Sequence, residues 1–251
     1  MHFISPDVYP ILLPKLCSYF RSQQSSIMKR LSIIALVLLL GAGCKQLYVP
    51  SPVNSPLFSQ AGEMSGQLAL STNGYNIQGA WSPVYHLGII GGGNLFSIQV
   101  DSLDQPDQFR HRYAEIGGGY YTRLSKYARF ELYAGYGGGH TGDVNNRGYF
   151  QKFFLQPGIG YSGRYVDIGF SPRISSVQHL RTLVLGQRRN EDRQSVFFEP
   201  WLTFRAGMEQ FKFSFQMGWA IRSGGDFVDD DFRRGGNFTL GMHLIFGKDF
   251  E

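Results

Sequence analysis

From residue 61 onward, apolar and polar side chains alternate with a period of two in one segment after another. Alternation puts successive side chains on opposite faces of an extended chain, so it predicts half-exposed β-strands. The clearest run is 211–222. Phe211, Phe213, Phe215, Met217, Trp219 and Ile221 share one face, and Lys212, Ser214, Gln216, Gly218, Ala220 and Arg222 share the other. The last run repeats the pattern, with Phe238, Leu240, Met242, Leu244 and Phe246 opposing Thr239, Gly241, His243 and Ile245. Val166, Ile168 and Phe170 likewise oppose Asp167, Gly169, Ser171 and Arg173, while Phe130, Leu132, Ala134 and Tyr136 oppose Arg129, Glu131, Tyr133 and Gly135.

The pattern predicts strands over 63–71, 74–83, 86–98, 112–124, 127–138, 150–163, 164–174, 195–207, 210–222 and 236–247. The third, with Ile89-Ile90 and Gly91-Gly92-Gly93, alternates least. Pro157, Pro172 and Pro200 fall inside strands, and in a closed sheet each implies a bulge or a strand end. The connections 84–85, 125–126, 163–164 and 208–209 are short, whereas 99–111, 139–149, 175–194 and 223–235 are long. Only the short 72–73 breaks the rhythm. Short turns at one end and long loops at the other predict an all-β fold, an antiparallel up-and-down transmembrane β-barrel of about ten strands, with eight the alternative count.

Alternation alone does not say which face points outward. The apolar rows are bulky, and a small barrel's lumen is already filled by side chains. The polar rows carry Glu115, Arg123, Arg129, Glu131, Lys152, Asp167, Arg173, Glu199, Arg205, Lys212 and Arg222. Buried charges require partners, and these can pair across a narrow lumen. The expected arrangement is therefore apolar outward, against lipid, and charged inward. The alternative is a soluble β-sandwich on a lipid tether, with the same charges in solvent. Tyr75, Trp81, Tyr113, Tyr127 and Tyr165, near strand ends, are expected as interfacial girdle residues.

Composition agrees with a sheet: 32 glycines, 21 phenylalanines and 14 tyrosines, with 17% charged residues. The mean hydropathy of −0.18 is no objection, because inward and outward rows average out.

The start of the chain reads differently. Met28-Lys29-Arg30, the apolar run Leu31 to Leu40 and then Gly41-Ala42-Gly43-Cys44 form a secretory signal, too short for a spanning helix. Its end resembles the lipobox of bacterial lipoproteins, with Gly41 where leucine is usual. The resemblance implies that Cys44 is acylated and becomes the first mature residue. Residues 1–27 then read as an upstream extension, 28–43 as the signal peptide, 44–60 with Pro50, Pro52 and Pro56 as an extended lipidated tether, and 61–251 as the barrel. An even strand number puts the N-terminus, with its lipid, on the periplasmic side. From Cys44 onward, 20 basic residues face 18 acidic ones, which gives no support to nucleic-acid binding.

Thr239-x-Gly241-x-x-Leu244-x-Phe246, on the final strand, resembles the signal by which outer-membrane β-barrel proteins are recognised by their assembly machinery. Gly247 to Glu251 follow it, where the family usually ends on the motif. The resemblance covers about residues 61–247 and implies an outer-membrane location, with outer-membrane lipid and the barrel assembly machinery as partners.

Catalytic chemistry is sparse. Gly158-Ile159-Gly160-Tyr161-Ser162-Gly163 satisfies G-x-G-x-x-G but runs into a strand, not the helix a dinucleotide needs. Gly117–Gly119 and Gly137–Gly139 lack the Lys-Ser/Thr of a P-loop, and Gly160-Tyr161-Ser162-Gly163 falls one residue short of a nucleophile elbow. His111 and His140 are expected at outer strand ends, with Ser175, Ser176 and His179 in the long loop 175–194 and no base paired to a nucleophile. Asp226, Asp229, Asp230 and Asp231 lack the spacing of a calcium loop, and His243 is expected as a hydrogen-bonded lumen residue. The expectation is a non-enzymatic outer-membrane barrel lipoprotein without cofactor or metal, whose loops bind a partner or small ligand or support the envelope. A narrow channel and a lipid-modifying enzyme are the other readings.

Overall fold

In the computed structural model, residues 48–101, 106–142, 146–184, 187–189, 192–226 and 236–249 are described. Cys44, the signal segment and Asp229 to Asp231 lie outside them. The described chain is an antiparallel barrel: β1 (Met64–Ser71), β2 (Gly74–Val84), β3 (Leu87–Asp101), β4 (Pro106–Arg123), β5 (Ala128–Gly142), β6 (Asn146–Ser162), β7 (Val166–Val184), β8 (Gln187–Arg189), β9 (Arg193–Gly207), β10 (Phe211–Trp219), β11 (Ile221–Gly225) and β12 (Gly236–Phe246). β8 is a short strand on the outer end of β7, and β10 and β11 are one stave interrupted at Ala220. Ten staves remain. The ring closes through β12 on β1, from Met64 opposite Phe246 to Ser71 opposite Thr239, and through β7 on β9.

The faces sort as the alternation predicts. Outward stand Leu70 at 61% exposure, Ile116 at 64% and Phe213 at 65%, with Ile159, Phe170, Leu202 and Met242 around the same belt. Inward stand Glu131, Lys152, Asp167, Arg173, Glu199, Arg205 and Lys212, all buried. Such an exterior in water would expose an apolar surface far larger than soluble proteins tolerate. Hydrocarbon is its natural solvent, and the sandwich alternative is overturned. Trp81, Tyr85, Tyr120, Tyr127, Tyr161 and Tyr165 are exposed near the short-turn end, as girdle residues should be. Tyr113 is not among them: it points inward, 5% exposed.

The staves are longer than their alternating parts. The described parts of the expected loops 99–111, 139–149 and 175–194 are mostly strand. Above the belt the outward residues turn polar, so alternation stops while the backbone ladder continues. Ser175, Ser176 and His179 therefore lie on β7. The prolines end no strand. Pro172 sits opposite Pro200, and the β6–β7 pairing lapses between Leu155 and Ile159, around Pro157.

Candidate functional site: a threaded lumen

The expected tether occupies the inside of the barrel. Residues 48 to 59 are all buried. Tyr48 and Pro50 lie toward the loop end, where Asn73 Nδ2 in the β1–β2 turn donates to Pro50 O at 3.0 Å. Asn54 Nδ2 donates near mid-height to Gly79 O at 2.8 Å and Gly91 O at 3.1 Å. Gln60 Nε2 donates at the turn end to Gly247 O at 2.8 Å. The thread thus runs from loop end to turn end, then reverses into β1. Ten staves enclose more room than the eight that side chains alone just fill, and one extended chain takes up the difference.

Prolines suit this segment for a physical reason. Pro50, Pro52 and Pro56 hold the chain extended and bring no N–H to satisfy, so the thread offers an excess of acceptors. The wall supplies donors to match. Gln78 Nε2 donates to Pro52 O at 3.2 Å, Gln216 Nε2 to Val53 O at 2.9 Å and Gln156 Nε2 to Asn54 O at 2.8 Å. Arg205 Nη2 donates to Ser55 O at 2.8 Å, and Lys248 Nζ to Leu57 O at 3.2 Å. Apolar anchors close both ends. Tyr48 packs among Tyr113, Phe150, Val177 and Phe197, and Phe58 among Tyr121, Tyr133 and Phe154. Leu57, at φ 55°, turns the chain so that both it and Phe58 bury. Gly160 makes room: a Cβ there would lie 2.7 Å from Leu57 Cδ2.

Two layers of charge flank the thread. In the upper layer Arg173 grips Glu115 through two nitrogens, at 3.1 and 3.0 Å, and Lys152 Nζ adds a contact at 3.3 Å. Tyr113 OH donates to the same carboxylate at 2.5 Å, while Tyr48 OH donates to Glu199 at 2.5 Å. Lys152 also donates to Ser51 Oγ at 3.3 Å. In the lower layer Glu131 accepts from Ser55 Oγ at 3.1 Å, Phe58 N at 3.2 Å and Tyr133 OH at 3.3 Å. Arg129 Nε donates to Ser59 Oγ at 3.0 Å, and Lys212 pairs with Asp167 at 2.9 Å. The expected lumen charges are thus partly a receptor for the thread. Arg123 is exposed at the turn end, and Arg222 is half-exposed at the loop end, donating to Gly225 O at 3.4 Å.

Below the barrel, Glu63 accepts from Ser59 N and Gln60 N, each at 2.8 Å, and faces Lys248 at 3.9 Å. Burial raises the Glu63 carboxyl above its ordinary range and lowers the Lys248 ammonium below its own.

Thr239, Gly241, Leu244 and Phe246 all lie on β12, at the closing seam. Thr239 points inward, and Leu244 and Phe246 point to the exterior. Gly158 to Ser162 are strand, as their sequence implied. His111 is buried against Phe150, rings 6.0 Å apart, whereas His140 lies half-exposed by Tyr149. Ser176 Oγ accepts from Gln194 Nε2 at 2.8 Å. His243 faces the interior, but among the described residues its ring nitrogens bond to no protein group, contrary to expectation. No acidic, histidine and cysteine cluster able to hold a metal occurs among the described residues.

No known protein family and no curated protein sequence matches the chain. Solved structures do. Acinetobacter baumannii CarO aligns over 72% of this chain and 97% of its own, at 10% identity and a TM-score of 0.31. The copper transporter OprC aligns over 82% of this chain, at 12% identity and 0.34, although the chain spans only 39% of that protein. Ail, the attachment invasion locus protein of Yersinia pestis, aligns over 74% of this chain and 99% of its own, at 12% and 0.29. The class rests on the chain's own geometry: a closed ten-stave barrel, apolar without and charged within.

Proposed function

We propose that the protein is a non-enzymatic outer-membrane barrel whose lumen is sealed by its own N-terminal segment, and whose loop end meets a partner or small ligand outside the cell. The observation that carries this reading is the thread itself. Four wall side chains, and Lys248 just past β12, donate to its carbonyl oxygens from Pro52 to Leu57, which pins the segment along the inside of the barrel. An even stave number and short turns at one end fit outer-membrane insertion with the loops outward. The strand β12 motif would be read by the assembly machinery.

The lipoprotein reading takes a new form. Cys44 lies four residues before Tyr48, within about 14 Å of extended chain. The direction of the thread therefore favours an acyl anchor at the loop end, in the outer leaflet, over the periplasmic leaflet expected from the sequence. Mass spectrometry of the mature N-terminal peptide, with Cys44→Ser as control, tests the acylation. Surface labelling of intact cells tests the side.

In planar bilayers the purified protein should give no discrete conductance, whereas a variant lacking residues 48–60 should conduct. Steady conductance by the intact protein would favour the channel reading. The enzyme reading predicts altered lipid profiles on overexpression that His111→Ala or His140→Ala abolishes.

A further inference from the structure

Above the apolar belt, the outward face of β4–β7 changes character in two steps. First comes a polar rung: Tyr136 OH donates to Gln151 Oε1 at 3.2 Å, and Gln151 Nε2 donates to Gln178 Oε1 at 2.5 Å. Gln178 Nε2 in turn donates to Asp192 at 2.8 Å. Then comes a basic row. Arg112 pairs across the sheet with His140, His140 with Tyr149, and Tyr149 with Arg181. The Arg181 guanidinium sits 4.6 Å from the Tyr149 ring centre, and the His140 and Tyr149 rings are 5.8 Å apart. One rung further out, Arg147 on β6 stands opposite Gly142. Arg112 is exposed, and His140, Arg147 and Arg181 are half-exposed.

The height of this row is informative. Tyr149 lies twelve residues along β6 from Tyr161, a girdle residue at the turn end. At about 3.3 Å per residue and a tilt of about 40°, that is roughly 30 Å along the barrel axis. The hydrocarbon core is about as thick. The arginines therefore stand at headgroup height, above Ile116, Phe153 and Ile174, which face acyl chains. Guanidinium groups match phosphate oxygens with paired, directional hydrogen bonds.

We infer that Arg112, His140, Arg147 and Arg181 form a binding face for a phosphorylated, multiply acylated lipid of the outer leaflet, phosphates on the arginines and chains along Ile116, Phe153 and Ile174. The occupant follows from charge complementarity and from the apolar belt that lies one polar rung below the basic row. The inference rests on the proposed membrane orientation, with the loop end outward.

Native mass spectrometry of the full-length protein, released from nanodiscs of phosphatidylcholine containing lipid A, reads the bound lipid directly. Lipid A adducts are expected on the wild type. They should fall about tenfold or more in the triple variant Arg112→Gln, Arg147→Gln, Arg181→Gln, since each basic group near a phosphate surface adds to the attraction. The turn-end variant Lys126→Gln, Arg164→Gln should match the wild type, and dephosphorylated lipid A should not be retained. Equal adducts on the triple variant, equal retention of phosphatidylglycerol, or displacement of lipid A by inorganic phosphate would each overturn the inference. Gel mobility of unboiled against boiled samples keeps the two readings apart: the triple variant should still shift on boiling, whereas a wild type without a shift would indict the barrel itself.

Discussion

Replacing Glu115 by leucine should be among the most damaging single changes in the lumen. The carboxylate holds Arg173 through contacts at 3.1 and 3.0 Å and Lys152 at 3.3 Å, and the side chains of both cations are 0% exposed. Leucine removes the negative charge and leaves two cations buried in its place. Breaking a buried pair from one side costs about 3–5 kcal/mol, because the stranded charge keeps its desolvation penalty. Glu115→Leu should therefore lower unfolding free energy by about that amount. The double variant Glu115→Leu, Arg173→Met removes one charge of each sign and leaves Glu199 to face Lys152, so it should cost less than the single change. Urea unfolding in detergent micelles, followed by tryptophan fluorescence, gives both values. A single-variant loss below about 1 kcal/mol, or a double-variant loss equal to the sum of the two singles, would refute the account of the layer.

Three further outcomes follow from the same geometry. Gly160→Val should cost about 1–3 kcal/mol in the same unfolding assay, because its Cβ meets the Leu57 side chain and Ile168 O, both at 2.7 Å. Leu155→Arg, on the outward face midway along β6 between Tyr161 and Tyr149, should cost about 2–4 kcal/mol in lipid vesicles; no loss there would mean that hydrocarbon does not cover it. Burial raises Glu63, so the folded state favours its protonated form. That stabilisation is full below the ordinary carboxyl range and lost as pH rises through the raised value. Unfolding midpoints should fall across that window in the wild type, and Glu63→Gln should remove the slope.

The barrel was legible in the sequence wherever one face meets lipid. In β10 the inward and outward rows match the alternation of Phe211 to Trp219 residue for residue, and in β12 those of Phe238 to Phe246 do the same. Legibility ended where the outside turns polar. Beyond Tyr136 and Phe153 no apolar row marks the outward side, so 139–142 and 146–149 read as loop although the ladder continues through Gly142 and Asn146. The buried course of 48–59 was not legible from its three prolines, which mark an extended segment and say nothing of what surrounds it. A signal was nevertheless present. No charged residue occurs between Lys45 and Glu63, and Tyr48, Val53, Leu57 and Phe58 are poor company for water. Tyr113, by contrast, looked interfacial from its place near a predicted strand end, and only the depth of the lumen shows it to be an interior group.

The central claim is that residues 48–60 occupy the inside of the barrel, and ring-to-ring nuclear Overhauser effects in detergent micelles test it most directly. Tyr48 and Phe197 have centroids 4.8 Å apart, and Phe58 and Tyr121 5.4 Å apart. The account predicts cross-peaks for both pairs, together with a slowly exchanging Phe58 amide bonded to Glu131. Sharp, freely exchanging resonances for 48–60, with neither cross-peak, would contradict it.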